Sequence, residues 1–268
     1  MVRAAADRAF LPTKNLLEQV GDMMILTGKT LLSAMRPPYP YGTEFVQQFL
    51  FMLKLCWLPL LISTVAFGYG APGLQAGNAL IIFGSIDRLG GFFVLATIRE
   101  FAPFVTAIIL AGVGGTAITA DLGARKIREE LDALQVLGVD PIKNLVVPRF
   151  LALVVVTTLF NGLAILAGLF GGVLATLTFN APLGPFFSTL LTNATVTDLW
   201  GSLLATAIFG AIIAVVCCYK GMTASGGAEG VGRAVNQAVV ISMLAVFAFN
   251  YVFTQTLLAT HPEISVVK

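Results

Sequence analysis

The sequence predicts an all-α polytopic membrane protein: an amphipathic N-terminal helix in the interface and five transmembrane helices. Three observations carry this reading. Charged residues make up only 11% of the chain and hydrophobic ones 57%, where a soluble domain carries about 25% charge. Mean hydropathy is +0.89. Five apolar stretches also reach the length of about 20 residues that a helix needs to cross hydrocarbon.

The elements follow in order. Residues 1–43 lack an uninterrupted apolar stretch followed by a cleavage site, so they do not read as a secretory signal. Leu16, Leu17, Val20, Met24, Leu31 and Met35 recur at helical spacing opposite Lys14, Glu18 and Asp22. That pattern places a helix in the interface plane, and Pro37-Pro38-Tyr39-Pro40 ends it. The spans are expected at 45–69, 92–120, 145–178, 198–219 and 234–259, with loops at 70–88, 121–144, 180–197 and 220–233. Together they form one domain over 1–268, with its transmembrane region at 45–259.

The densest charge cluster lies between the second and third spans. Arg125, Lys126, Arg128, Glu129, Glu130 and Asp132 fall within eight positions. Ile127, Leu131, Leu134 and Leu137 recur at intervals of four, three and three, the spacing of one helix face. Gly138 stands where a helix C-cap belongs, and Pro141 blocks continuation. Residues 121–138 therefore read as an amphipathic helix on the membrane face, tethered at both ends. Six charges in eight positions exceed what the solubility of a short loop requires, which points to docking on a soluble partner.

Lys and Arg set the orientation. Arg3, Arg8, Lys14, Lys29, Arg36, Arg125, Lys126, Arg128, Lys143, Arg149, Lys220 and Arg233 lie on one side, twelve against Arg88 and Lys268 on the other. The N-terminus and the charged segment are expected in the cytoplasm and the C-terminus outside. Within the spans, Lys54, Arg99 and Glu100 are the exceptions. A charge at mid-membrane costs about 3 kcal/mol on insertion scales, so these residues should face protein, a partner charge or a wet cavity. A cavity for a polar head group is the functional reading, and snorkelling or a structural ion pair is the alternative. Small residues form stripes: Ala107, Ala111 and Gly115 in the second span, Gly168 and Gly172 in the third, and Gly210 in the fourth. They let helix backbones approach closely, within one subunit or between two.

Catalytic chemistry finds little support. Gly28-Lys29-Thr30 resembles the end of a phosphate-binding loop, but the required glycine five residues earlier is Met23. If ATP drives this protein, another polypeptide supplies the site. His261 is the single histidine, so no histidine pair exists for a metal, and none is expected. Cys56, Cys217 and Cys218 lie in apolar runs and read as small packing residues.

The runs Arg99-Glu-Phe-Ala-Pro103, Ala120-Asp-Leu-Gly123, Glu129-Glu-Leu-Asp-Ala-Leu-Gln-Val-Leu-Gly138-Val-Asp-Pro141 and Val147-Pro-Arg-Phe150 resemble the MlaE/YrbE permeases, the membrane subunits of ABC-type lipid transporters that work with MCE proteins. The variant Asp121-Leu-Gly-Ala-Arg-Lys-Ile-Arg-Glu-Glu130 is similar to the actinobacterial YrbE branch. The resemblance implies a non-catalytic subunit that pairs with a second, YrbE-type permease. It implies a coupling helix at 121–138 docking a cytoplasmic ATPase dimer, which binds ATP and Mg. It further implies an MCE hexamer on the outer side and import of lipid such as fatty acids, mycolic acids or sterols. Arg125, Arg128, Glu129, Glu130, Asp132, Leu134, Gly138 and Pro141 then carry the ATPase contact. Arg99 and Glu100, which match family positions, and Lys54, which does not, stand as lipid-cavity residues. The competing reading is an ion-coupled secondary transporter using Lys54, Arg99 and Glu100; a lipid-modifying enzyme has almost no residue support.

Overall fold

The computed structural model describes residues 2–262, with side chains at residue 14 and from residue 17 onward. The expectations for Leu16, Arg3, Arg8 and Lys268 fall outside those side chains. The described residues form helices α1 (Val2–Met35), α2 (Gly42–Ile82), α3 (Ile86–Ile127), α4 (Glu130–Val136), α5 (Ile142–Thr178), α6 (Leu183–Asn193), α7 (Val196–Met222) and α8 (Gly227–Thr260). Five of them, α2, α3, α5, α7 and α8, are long and apolar enough to cross a membrane.

The helices outrun the apolar stretches. At 1.5 Å per residue the 42 residues of α3 reach about 63 Å, twice the roughly 30 Å of hydrocarbon. The crossings alternate in direction. One end of the bundle, the near end, therefore gathers α1, α4 and the turn at 223–226. The far end gathers the turn at 83–85, α6 and the end of α8. The 180–197 connection, expected as a loop, contains α6, and the one expected at 220–233 shrinks to a few residues.

α3 is the central rod and touches all four other crossings. α5 packs on α2 and α7, and α8 packs on α3 and α7. Glycines allow the closest approaches. A Cβ on Gly68 would lie 2.3 Å from the Gly168 carbonyl oxygen, and one on Gly210 3.0 Å from that of Leu153. α2 and α8 sit at the margins and present Leu50, Leu58, Ile62, Leu244, Phe247 and Tyr251 outward. In water such faces would aggregate; in lipid they match the solvent.

Four wide, π-type turns interrupt the crossings. Three follow from proline, which lacks an N–H and clashes with the carbonyl four residues back. Pro72 lies within the turn Tyr69–Gln75, while Pro103 and Pro148 follow the turns Val94–Phe101 and Ile142–Val146. The fourth, Leu110–Gly115, is rich in glycine.

α1 has three faces. Leu17, Val20, Met24, Leu31 and Met35 point outward as an apolar stripe, Leu26 and Thr30 are buried against the bundle, and Lys14 pairs with Glu18 on an exposed side. Its last carbonyls are capped from within and just beyond the proline run, because Tyr39 Oη donates to Met35 O and Tyr41 Oη to Ala34 O.

Residues 121–138 do not form one helix, contrary to the sequence expectation. Asp121–Ile127 continue α3, the chain turns at Arg128 and Glu129, and α4 is a separate short helix. Glu129 adopts φ 60°, a left-handed conformation rare for a residue with a side chain. Gly138, at φ 77°, closes α4: its N–H bonds to Gln135 O and that of Val139 to Leu134 O. Pro141 stops nothing; it opens α5, with the Asp140 carboxylate accepting the Ile142 N–H.

Candidate functional site

Arg99 and Glu100 lie in the wide turn before Pro103, in the far half of α3. Being adjacent, they point to different neighbours. Arg99 Nε donates to Asp198 Oδ1 on α7 at 2.5 Å. Asp198 is 1% exposed and also completes the capping box of α7, whose N-cap is Thr195: its Oδ2 accepts from Thr195 N and Oγ1. A buried carboxylate is thus met by one cation and two further donors, the condition under which a buried charge is tolerated. Glu100 turns to α8: Oε2 accepts from Asn250 Nδ2 at 2.9 Å and Oε1 from Thr254 Oγ1 at 3.1 Å. Its charge is solvated by neutral donors.

Apolar grooves lie in the same far half. One, of about 510 Å³, runs between α7 and α8 along Trp200, Leu204, Phe253 and Leu257, with His261 at its rim. Another, of about 480 Å³, lies between α2 and α5 along Ile62, Val65 and Leu174. Arg99, Glu100 and Asp198 line neither groove but share the far half of the bundle with both, and a polar cluster near apolar, outward-facing grooves suits a molecule that is part polar and part hydrocarbon. Lys54 is not among these charges. It is exposed on α2, nearer the other end, so the structure does not bring the three expected cavity residues together.

The near end holds a second constellation. Arg149, whose side chain is 0% exposed, places Nη2 2.6 Å from Asp121 Oδ2 and 3.4 Å from Glu44 Oε1, and donates Nη1 to Leu145 O. It ties α5 to α3 and α2. On sequence it counts only among the Lys and Arg of one side, at the start of the third span, because nothing in its neighbours signals that two other helices supply carboxylates. Lys220 is buried at this end too.

The expected docking residues are mostly bonded to one another. Arg125 pairs with Asp121, Lys126 with Asp132 across the Arg128–Glu129 turn, and Arg128 with Glu130. Glu129 is exposed, and Leu134 is half-buried under α4. What projects is apolar: Val136 is 88% and Leu137 77% exposed. This exposed apolar pair is a surface feature that charge density alone does not pick out, though two adjacent apolar residues before a C-cap glycine are a readable signal.

Ala107, Ala111, Gly115, Gly168, Gly172 and Gly210 all lie inside the single chain. Gly115 faces Cys217, Gly168 faces Thr97, and Gly172 faces the Phe93 ring. The Gly28-Lys29-Thr30 run lies mid-helix, with Thr30 Oγ1 donating to Leu26 O. Among the described residues no group of three or more His, Cys, Asp or Glu is gathered as a metal would require.

Residues 45–256 match the family model described as permease MlaE. The chain belongs to this family. A probable ABC transporter permease protein of Synechocystis is 37% identical over 66% of this chain and 68% of its own length. Another, from Rickettsia typhi, is 30% identical over 90% and 92%. The intermembrane phospholipid transport system permease protein MlaE of Haemophilus influenzae is 29% identical over 68% and 70%. An MlaE-family chain is a non-catalytic, multi-pass membrane subunit of an ABC transporter, and ATP hydrolysis belongs to a separate subunit. Membership removes the ion-coupled and enzymatic readings.

Proposed function

We propose that this chain is the permease half of an ATP-driven lipid transporter in an inner membrane, working with MCE proteins. The reading rests on one observation: the Arg99–Asp198 and Glu100 cluster shares the far half of the bundle with open apolar grooves, away from the end bearing α4. A phospholipid needs this combination of a polar contact and a hydrocarbon path, and the Haemophilus relative is named for phospholipid transport. The near end is cytoplasmic, following the excess of Lys and Arg there. An ATPase carrying ATP and Mg docks on α4, and an MCE assembly meets the far end. The cargo we propose, fatty acids, mycolic acids or sterols moved inward, rests on the resemblance of 121–130 to the actinobacterial YrbE branch.

The ATPase pulls on a rod. Because Asp121–Ile127 continue α3, movement of α4 passes along that helix, through the wide turn Leu110–Gly115, to Arg99 and Glu100. The Arg149 clamp joins that rod to α2 and α5, so the three move together. The energy comes from the different affinities of the ATPase for two membrane states.

The test is ATP-dependent movement of fluorescent phospholipid in vesicles holding the permease and its ATPase. Glu100→Gln, which keeps the side-chain shape and removes the charge, should slow transport at least tenfold while the complex still assembles. Transport at the wild-type rate in Glu100→Gln and Arg99→Ala would remove the cluster from the lipid route.

A further inference from the structure

A polar cavity of about 320 Å³ lies at the near end, where α1 meets the end of α7 and the start of α8. At about 30 Å³ per water it has room for roughly ten molecules. Lys220 is its deepest charge, 7% exposed. Its Nζ donates to Gln19 Oε1 at 2.8 Å and Gln237 Oε1 at 3.1 Å. Two amide oxygens aim an ammonium without neutralising it. Among the described residues no carboxylate forms an ion pair with Lys220; beyond the two amides its Nζ meets the face of the Tyr219 ring, 5.9 Å from the centroid, a cation–π contact that leaves the charge uncompensated. A buried, unbalanced cation costs several kcal/mol unless an anion joins it.

One further cation, Arg233, belongs to the lining, whose other residues are neutral. Arg233 stands at the mouth, with one nitrogen held by Glu229 and the other beside Gly226. That ion pair is exposed on both sides, so it yields easily. α8 is 34 residues long, and its N-cap Gly226 supplies no side-chain cap; Ser225 and Gly230, on either side of that helix start, line the cavity, which places the positive end of the helix dipole near it. Of the nearby acids, Glu229 lies outside the lining, and Asp22, also outside it, accepts from Tyr219 Oη. Gln19 reaches the cavity from α1, whose exposed Leu17, Val20 and Met24 are placed to lie among acyl chains.

We propose that this cavity binds the phosphate of an anionic phospholipid in the near-end leaflet, held by Lys220 and Arg233, and that the lipid staples α1 to α7 and α8. The site is separate from the far-half cluster, and the bound lipid is a resident, not cargo.

The test uses the permease purified with its ATPase, stripped of lipid and titrated with phosphatidylglycerol in mixed micelles, with bound lipid counted by native mass spectrometry. Lipid held in the transport route is common to wild type and variants and cancels in the comparison. Lys220→Gln and Arg233→Gln should each weaken retention of one phosphatidylglycerol about tenfold or more, as loss of a charge-assisted phosphate contact does. Arg233 is exposed, so its variant folds even if the Lys220 variant does not. Equal retention in wild type and Arg233→Gln overturns the proposal, as does equal affinity for phosphatidylcholine. Displacement by millimolar inorganic phosphate would assign the cavity to a soluble anion and overturn the lipid reading.

Discussion

Arg149 shows how one residue can hold three helices. Its guanidinium is fully buried, while its partners Asp121 and Glu44 are 41% and 29% exposed. Arg149→Met leaves carboxylates that relax toward water, so the loss stays below the 3–5 kcal/mol of a fully buried pair, at about 2 kcal/mol. A thermal melt of the detergent-solubilised protein measures it. Glycine makes a cleaner contrast. In Gly68→Ala the new methyl would meet Gly168 backbone, which cannot rotate away, so stability should fall by about 1–3 kcal/mol. Gly28 has nothing within 4 Å of a Cβ, and Gly28→Ala in α1 should stabilise by about 0.5–1 kcal/mol. The same melt ranks the two variants, and an equal effect would contradict the α2–α5 contact.

At the scale of elements, α4 is a small platform whose charges are spent on holding its own turn together. Val136→Glu with Leu137→Glu should leave the permease folded and abolish co-purification of the ATPase, because two exposed apolar side chains at a helix end are the available anchor. Glu130→Lys should act more weakly, by breaking the pair with Arg128. If the charge reversal uncouples and the apolar pair does not, docking is electrostatic after all. The wide turn before Pro103 is the other element with a consequence. Pro103→Ala restores a donor for the Arg99 carbonyl and lets α3 regularise, which would re-aim Arg99 and Glu100. The expected result is an unchanged or higher melting temperature together with slower lipid transport.

Across the whole molecule, the margins call for a partner. α2 and α8 are the least buried crossings, and Lys54 projects from the exposed face of α2. A lone ammonium facing lipid costs about 3 kcal/mol on insertion scales, whereas one facing a second permease or a wet seam between two does not. Cysteine pairs at Leu58 should therefore cross-link two permease chains in native membranes, and the absence of any such product would place Lys54 against lipid. The legible part of this protein was what one chain segment carries by itself. Five crossings, the apolar stripe of α1, the C-cap at Gly138 and the Arg99–Pro103 motif are local patterns, because lipid removes every alternative to an apolar helix. Asp198 as the partner of Arg99, Asn250 and Thr254 around Glu100, and the burial of Arg149 and Lys220 were decided only in three dimensions. Each pairs helices far apart in the sequence, and helical periodicity is silent about which neighbour a side chain meets. The break at Arg128–Glu129 belongs with them. The 121–138 pattern fits one helix, but Leu131 is buried only if the chain turns first, so tertiary burial overrode a continuous periodic signal.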